Sequence, residues 1–321
     1  MLQYLIRRIL WACVLFVAIT IVAYVIFFII PVDPAKLACG QRASDACIRN
    51  AQHALGLDKP VYEQYGRFLW KLVAHHDLGK SYTNRQSVNQ TVMNAAPVTA
   101  SLVLGGAVLW MLIALPVGIL SALRPRSLLD RTAMVFVLIG ISATPIWIGL
   151  ILSYVVGFKL GWAPITGYCD FFNPATSCGG PVQWAWHMAL PWITFSILFA
   201  ALYVRIIRAN VMETATEDYV RTARAKGAPE SAVIRSHILR NALLPVATLL
   251  GMDIGVALGG AVFTETVFAL PGMGKTALSA IATFDLPTLQ GIVVFATISI
   301  IVINLAVDLL YVVIDPRIRL N

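Results

Sequence analysis

Residues 269–276 look at first like a site for phosphate chemistry, because they end in Gly-Lys-Thr. A phosphate-binding loop requires a glycine five positions before its Gly-Lys pair, where backbone amides turn toward the phosphate. Counting back from Gly274, that position holds Ala269, and no buried strand precedes the segment. We therefore predict that this chain has no nucleotide site, binds no cofactor and has no catalytic residues of its own.

Four cysteines fall in two segments that the charge pattern described below places on the outer side. Cysteines in an oxidising compartment form disulfides, and the simplest pairings are Cys39–Cys47 and Cys169–Cys178. A metal site is the alternative, but none of the spacings has the C-x-x-C form. The outer histidines do not complete such a site either: His53, His75 and His76. Cys13 lies in the first apolar run, where we expect it to be inert.

Two carboxylates lie inside apolar runs, where an ionised side chain costs at least about 2.5–3.5 kcal/mol. Asp253 lies on a segment in which Gly251, Gly255 and Gly259 form one helical stripe. Asp253, Gly255 and Gly259 could therefore line a translocation path at a subunit seam. The alternative is a hydrogen-bonded structural role for Asp253 and helix packing within the chain for the glycines. We expect Asp308 to pair with the arginines of the C-terminal tail or to cap a helix.

The composition is that of a membrane protein. Of the 321 residues, 59% are hydrophobic and 12% are charged, whereas soluble domains carry roughly 25% charged residues. A chain with so few charges cannot cover its surface in water, so lipid must surround it. The net charge of +8 does not indicate nucleic-acid binding, because the basic residues fall between apolar runs, where they can set topology and contact lipid headgroups.

Six apolar runs are long enough to cross a hydrocarbon core, which needs roughly 20 helical residues. The first, residues 10–30, lies in an N-terminal helix over 1–30; it is too long for the apolar part of a signal peptide, and we predict that it is retained. The others lie at 98–123, 132–158, 185–204, 241–264 and 286–314. The predicted fold is an all-α membrane protein with six transmembrane helices. Four runs contain a proline, and we expect these kinks to face other helices or a cavity: Pro116, Pro145, Pro191 and Pro245.

Lysine and arginine set the orientation, because they are retained on the cytoplasmic side. The N-terminus, the 124–131 turn, the 205–240 loop and the C-terminal tail together hold fourteen of them. The two short loops on the other side, 159–184 and 265–285, hold only Lys159 and Lys275. We therefore place both termini and the 205–240 loop in the cytoplasm.

Residues 31–97 are predicted to form a small extracytoplasmic segment between the first two spans. A helix is expected near residues 61–74, where apolar residues recur at helical spacing: Tyr62, Tyr65, Phe68, Leu69 and Leu72. This helix either packs over the bundle or offers a landing surface to a soluble partner, and the pattern leaves both interpretations open.

The 205–240 loop has the pattern of two short helices joined by a bend. In residues 213–227 the acidic residues precede the basic ones, as a helix dipole prefers, and Gly227 is a helix stop. Pro229 is expected in the first turn of the second helix. The loop is either a solvated connector or a projection that inserts into a groove of another protein.

Two stretches in and after this loop carry a family resemblance. They read Tyr-Val-Arg-Thr-Ala-Arg-Ala-Lys-Gly at 219–227 and His-Ile-Leu-Arg-Asn-Ala-Leu-Leu-Pro at 237–245. Both resemble the inner-membrane permeases of ATP-binding-cassette importers, specifically the first permease of the dipeptide/oligopeptide/nickel group. Further matches lie at 55–60, 77–81, 258–268, 271–274 and 307–317. The chain departs from the wider importer pattern at four positions: Arg221 and Thr222 replace Glu-Ala, and His237 and Arg240 replace Ile and Pro.

The resemblance implies a type I importer permease fold with its core over 98–314, and translocation of di- or oligopeptides across the cytoplasmic membrane. The implied partners are a second homologous permease subunit, two cytoplasmic ATPases that bind ATP and Mg²⁺, and an extracytoplasmic substrate-binding protein. Ala223 and Gly227 would permit close approach to an ATPase. The implied coupling residues are Tyr219, Arg221, Thr222, Ala223, Arg224, Lys226, Gly227, His237 and Leu239.

Two other functions compete with this one. An ion-coupled secondary transporter working without an ATPase would explain six spans and Asp253, but it leaves the paired cytoplasmic helices without a purpose, and no inverted repeat is visible. A membrane-embedded enzyme would need a cluster of His, Asp or Glu within the spans. His187 stands alone, near an outer membrane edge.

Overall fold

The computed structural model describes residues 2–29, 39, 44–55, 59–171 and 178–314. Over these residues the chain is helical, with no strand and two isolated bridges, Lys80–Ser87 and Asp170–Gly179. By length and composition, four helices could cross a membrane, or six if each of two bent pairs is one span. The all-α prediction is confirmed, and the six predicted spans correspond to the four long helices and the two bent pairs.

Thirteen helices are numbered here over the described residues. The long helices are α1 Leu2–Ile29, α4 Val88–Leu123, α7 Pro181–Ala215 and α13 Leu286–Ile314. The bent pairs are α5 Leu128–Ser142 with α6 Pro145–Lys159, and α9 Glu230–Ala242 with α10 Leu244–Ala257. Shorter helices lie between them: α2 Asp45–Leu55, α3 Val61–His75, α8 Asp218–Ala225, α11 Val262–Val267 and α12 Met273–Ala282. The side chain of Asp308, the tail arginines and part of the 55–60 motif lie outside the described residues.

The main core lies where α4 and α7 pack side by side. The ring of Trp110 on α4 stacks on that of Phe199 on α7, with centroids 4.6 Å apart. Tyr203 and Ile207, one and two turns further along α7, are fully buried in the same cluster. These two helices are therefore the scaffold on which the loops at both ends are mounted.

Both scaffold helices are longer than hydropathy predicts. α4 begins at Val88 rather than at residue 98, because Val88 and Val92 are buried in a second, smaller cluster with side chains of α12 and α13. α7 runs to Ala215 rather than to residue 204, because its polar turns continue beyond the apolar run and Arg208 finds a partner there. Hydropathy marks only the lipid-facing part of such a helix.

A bend of 102° between α5 and α6 breaks the helix predicted over 132–158. Thr144 is extended, as a residue before proline prefers, and its hydroxyl oxygen accepts a hydrogen bond from the Trp147 amide. Pro145 then opens α6, where its missing N–H costs nothing. The residues Ser-Ala-Thr-Pro at 142–145 end α5 and begin α6. The break was not predicted, because the run around these residues is uniformly apolar.

The span predicted over 241–264 also differs from the structure. α9 and α10 bend by 42° at Leu243, and α10 ends at Ala257. Gly260 takes a φ of +138°, and a Cβ there would lie 2.6 Å from the Cα of Gly274. Only glycine permits two backbone segments to cross so closely. Gly260 therefore allows the chain to turn away after α10 ends. α11 and α12 follow as a separate pair, which we call the outer hairpin.

Candidate functional site

The 205–240 loop contains the last turns of α7, the short helix α8 and most of α9. α8 ends at the predicted glycine: Gly227 has a φ of +79°, and the Ala228 amide closes the turn on the Ala223 carbonyl at 3.2 Å. No atom lies within 4 Å of a Cβ built on Gly227. The backbone conformation, and not crowding within this chain, therefore requires glycine. Pro229 precedes α9 instead of lying in its first turn.

One face of this loop packs against the chain itself. Val220 and Ala223 of α8 are buried in the main core, together with Val233 and Ile238 of α9. Ala223 therefore permits a close approach between α8 and its own bundle. The role of Ala223 in a close approach to a separate ATPase stays a prediction.

The opposite face of the loop carries exposed polar side chains: Arg221, Thr222, Arg224 and Lys226. Arg224 reaches across the bend to Glu230, with Nη2 and Nε at 2.8 and 3.1 Å from the two carboxylate oxygens. Arg221 lies 3.9 Å from Asp218, at the limit of an ion pair. Arg224 thus ties the two helices together, while Arg221 and Lys226 give the face its positive charge.

The remaining predicted coupling residues, Tyr219, His237 and Leu239, lie near the bend between α9 and α10. Asn241 Nδ2 donates to Tyr219 OH at 2.9 Å and to the His237 carbonyl at 3.1 Å. His237 and Leu239 are half-buried, within a π-helical stretch over Val233–Leu239, a conformation often found at functional sites. Asn241 was missed as a site residue, although it lies inside the 237–245 motif.

A buried ion pair lies where α7 leaves the core toward this loop. Arg208 donates to both carboxylate oxygens of Asp130, from Nε at 2.7 Å and from Nη2 at 3.0 Å. The Ser121 hydroxyl and the Arg126 amide also donate to Asp130, which is 5% exposed. This Asp130–Arg208 clasp joins the ends of α4, α5 and α7. In the sequence analysis these charges served only to predict topology. The sequence feature that could have indicated the ion pair is a single acid, Asp130, among three arginines in the 124–131 turn.

Asp253 and the glycine stripe face different neighbours. Tyr203 OH, fully buried on α7, donates to Asp253 at 2.7 Å. The glycines of α10 instead face α13: a Cβ would lie 2.0 Å from Val307 Cγ2 at Gly251, 3.3 Å from Ile300 Cα at Gly255 and 2.9 Å from Ala296 Cβ at Gly259. Helix packing within the chain accounts for the stripe, and hydrogen bonding accounts for Asp253. Their place on a translocation path stays a prediction.

The outer hairpin is organised around Glu265, whose side chain is 0% exposed. It accepts hydrogen bonds from Thr99 Oγ1 of α4 at 2.8 Å, from the Ala261 amide at 3.2 Å and from the Lys275 amide at 2.9 Å. The Met273 amide donates in turn to Thr99 Oγ1 at 2.8 Å. The amides of Met273 and Lys275 are thus directed into the protein. Glu265 was missed as a site residue, because two of its three partners, Thr99 and Lys275, reach it only through the way the chain folds back.

The outer cysteines are joined as the sequence predicts, Cys39 to Cys47 and Cys169 to Cys178. Cys13 is a free thiol on the exposed side of α1. His187 is not alone, however: its Nδ1 lies 3.1 Å from Cys169 Sγ and 2.9 Å from the Gln183 carbonyl. The sequence analysis treated His187 as isolated, because Cys169 and Cys178 lie well before it in the chain and only the fold brings the three side chains together.

Helix α3, which the sequence predicts to be extracytoplasmic, packs along α1. Tyr65 OH lies 2.9 Å from Thr20 Oγ1, and Tyr24 OH donates to Gln64 at 3.1 Å. The opposite side leaves Tyr62 and Trp70 exposed by 78% and 68%. The helix therefore packs on the bundle and still presents an aromatic surface, so both predicted roles remain available.

The loop between α3 and α4 is anchored to the start of α13. Asp285 accepts hydrogen bonds from the Ser81 hydroxyl, from the Tyr82 amide at 2.9 Å and from the Thr288 hydroxyl at 2.7 Å. Burial, with the nearby Tyr24 and Asp285, raises the pKa of Tyr82 to about 12. The 77–81 motif is thus fixed to the start of α13 and is not a free loop.

The fold and the exposed helical loop together define a multi-pass membrane subunit with a surface for other proteins. The chain belongs to the family of binding-protein-dependent transport system inner membrane components: that family's model matches residues 114–320, and the model of its N-terminal region matches residues 1–103. It therefore has the type I importer permease fold and is a permease subunit of the inner membrane.

Three relatives illustrate the similarity over almost the full length. The dipeptide transport system permease protein DppB of Escherichia coli (strain K12) is 36% identical over 341 residues, covering 99% of both chains. The probable D,D-dipeptide transport system permease protein DdpB of the same strain is 37% identical, covering 98% of this chain and 97% of its own. The di/tripeptide transport system permease protein DppB of Pseudomonas aeruginosa (strain UCBPP-PA14) is 37% identical, covering 99% of both.

Among solved structures, a crystal structure of an amino acid ABC transporter with histidines matches with a TM-score of 0.49 at 16% identity. The match covers 72% of this chain and 95% of that chain. The fold class rests on the family, not on this likeness.

Proposed function

We propose that this chain is the pore-forming permease subunit of an ATP-driven importer of di- or oligopeptides, and that the 205–240 loop couples it to a separate ATPase. The family supports the importer class, and relatives named for dipeptides and tripeptides support the cargo. The single observation that carries the coupling role is the geometry of α8. It is a short helix with its apolar face packed on the bundle, a charged face in solvent and a glycine-controlled bend.

The distribution of Lys and Arg supports the orientation of the chain. Fourteen of them lie in the segments that we place in the cytoplasm, including both termini. In this orientation the 205–240 loop is in the cytoplasm, whereas α3, the outer hairpin and both disulfides lie on the outer side.

The partners follow from this orientation. A second homologous permease subunit would complete the pore, and two cytoplasmic ATPases would bind ATP and Mg²⁺ and receive the coupling loops. An extracytoplasmic binding protein would deliver substrate to the outer surface. Lipid covers the exposed apolar side chains of the spans, and no nucleic acid is involved.

Movement of an ATPase would reach the membrane through α7. This helix is continuous from Pro181 to Ala215, and a continuous helix transmits displacement because it resists compression along its axis. The clasp holds Arg208 of α7 to Asp130 of α5. A shift of α8 would therefore pull on both α5 and α7, and the translocation cavity of the assembled permease would change its access.

We further propose that the chain hydrolyses no nucleotide itself. The amides of Lys275 and Met273, which a phosphate-binding loop would direct at its ligand, donate instead to Glu265 and Thr99. The segment also lies on the side away from cytoplasmic ATP. The alternative of an ion-coupled transporter without an ATPase is not favoured, because Asp253 already has a buried tyrosine as its partner and the family works with other transport components.

The test is Gly227→Asp in the assembled transporter, assayed for uptake of a radiolabelled dipeptide by cells and for recovery of the ATPase with the purified chain. We expect uptake to be abolished and the ATPase to be lost, with the amount of chain in the membrane unchanged. An aspartate here adds a negative charge to a face whose charge is positive. Full uptake by this variant would overturn the coupling role.

Two matched variants separate the charge from the backbone. In Gly227→Asn, the asparagine adopts positive φ at least as readily as aspartate but carries no charge, so this variant should retain measurable uptake. Gly66→Asp introduces the same charge on the outer helix α3, at another glycine with no atom within 4 Å of a built Cβ, and should leave ATPase recovery unchanged.

A further inference from the structure

The outer loop before α7 brings two cysteines and a histidine together. One ligand atom from each of Cys169, Cys178 and His187 lies within 4.8 Å of the others. Across the part of the chain that the structure describes, no other group of three such side chains is close enough to share an ion. The other disulfide, Cys39–Cys47, therefore serves as a control for Cys169–Cys178. It is placed on the same side of the membrane, but it has no histidine that forms a three-residue group with its two cysteines.

We propose that this cluster is a redox-dependent metal site. While the Cys169–Cys178 disulfide is intact, the site is closed; once the two thiols are free, they bind Zn²⁺ together with His187. The proposal concerns the side chains of this chain alone and does not rest on the transport function proposed above.

The spacing of the three residues suits zinc. Zinc binds Cys sulfur at about 2.3 Å and His nitrogen at about 2.0–2.1 Å in a tetrahedron, so the ligand atoms lie about 3.5–3.8 Å from one another. Nδ1 of His187 and Sγ of Cys169 are already 3.1 Å apart. Binding therefore needs only small side-chain movements, with a water molecule as the fourth ligand.

The backbone holds the two cysteines near each other without help from the disulfide. The residues that follow them, Asp170 and Gly179, form a bridge, and the Gly180 amide donates to the Asp170 carbonyl at 3.0 Å. On the other side of Cys169, the Gly167 amide donates to the Phe268 carbonyl in the outer hairpin at 3.1 Å. Because His187 lies on the rigid helix α7, reduction would leave all three ligands in place.

The chemistry balances as a thiol–disulfide exchange followed by metal binding. A dithiol reductant supplies two electrons and two protons, its own thiols become a disulfide, and Cys169 and Cys178 become free thiols. Zn²⁺ then displaces both thiol protons. His187 must exchange its contact with the Gln183 carbonyl for the ion and carry its ring proton on Nε2. The metal would thus hold the two cysteines together in place of the disulfide and would also connect them to His187 on α7.

The test uses the full chain purified in detergent, either oxidised or reduced with a phosphine that is then removed. After incubation with Zn²⁺ and gel filtration, the reduced chain should carry about one equivalent of zinc and the oxidised chain none. Co²⁺ in its place should produce thiolate-to-metal charge-transfer absorption in the reduced chain alone. If the reduced wild-type chain carries no zinc, the proposal is wrong, and this comparison requires no variant to fold.

Three variants test the ligands. Cys39→Ser/Cys47→Ser, the matched control, should retain zinc after reduction, whereas Cys169→Ser/Cys178→Ser should retain none. His187→Gln should weaken binding by about tenfold or more, read by competition with a chelating dye. Zinc that persists in the Cys169/Cys178 variant, or that is lost in the Cys39/Cys47 variant, would contradict the assignment.

Discussion

A glycine with positive φ precedes the outer hairpin, at Gly260, and another ends α8 in the 205–240 loop, at Gly227, yet the two regions place their charges in opposite environments. In the hairpin, the Glu265 carboxylate is buried and receives three hydrogen bonds. At the bend of the loop, the charged side chains of Arg221, Arg224 and Lys226 are exposed, whereas the apolar side chains of Val220 and Ala223 face inward. The hairpin thus keeps its shape through a buried acid, whereas the bend keeps its shape through a backbone turn and apolar packing, and its charged face points to solvent.

The Asp130–Arg208 clasp lies between these extremes. Its carboxylate is buried like that of Glu265, but a quarter of the Arg208 side chain remains exposed. The three sites therefore form a series in which burial of the charge decreases, and substitution should cost less stability at each step.

The largest effect is expected at Glu265. Glu265→Ala removes the acceptor for the buried Thr99 hydroxyl and for the part-buried amides of Ala261 and Lys275, and each unsatisfied buried donor costs about 1–3 kcal/mol. We expect a loss of at least about 3 kcal/mol in total, measured as a lower midpoint of thermal unfolding in detergent. Glu265→Gln keeps one acceptor oxygen in place and should lose clearly less. Equal stability of the alanine variant and wild type would remove the basis of the comparison.

An intermediate effect is expected at the clasp. Asp130→Ala leaves Arg208 without its carboxylate, and we expect a loss of about 1–3 kcal/mol, less than for a fully buried pair because Arg208 reaches water. The double variant Asp130→Ala/Arg208→Ala should lose less than the sum of the single variants, by about 0.5–3 kcal/mol. Strict additivity in the same unfolding assay would show that the two side chains do not act together.

The smallest effect is expected at the ion pair across the loop. Arg224 and Glu230 are exposed, and surface pairs contribute little to stability, so Glu230→Gln should leave the unfolding midpoint unchanged within error. Because the turn depends on Gly227, dipeptide uptake should also persist. If Glu230→Gln abolished uptake as Gly227→Asp is expected to do, the ion pair and not the backbone turn would be setting the angle between α8 and α9.

Local features of the chain were predictable where a single residue type decided them. Gly227 ends α8 because few other residues adopt its φ, and the apolar runs predicted the number and order of the spans. The direction that the basic turns indicate stays a prediction. The bend at Pro145 also depends on neighbouring residues alone. It was not predicted as a break, because hydropathy is averaged over a window of residues that includes it. The longer reach of α4 and α7 was missed because polar residues extend a helix beyond the lipid without altering the pattern that marks the span.

The sequence by itself determined that this protein lies in a membrane and which segments of its chain cross that membrane. It also determined that a loop of two short helices follows the fourth span. Composition and the geometry of neighbouring residues are sufficient to decide these features. Tertiary structure alone decided which polar groups meet. Thr99 reaches Glu265, Arg208 reaches Asp130 and His187 reaches Cys169 because helices far apart or separated by loops pack side by side. A buried charge must find its partners in space, and the linear order of residues does not record which helices will be neighbours.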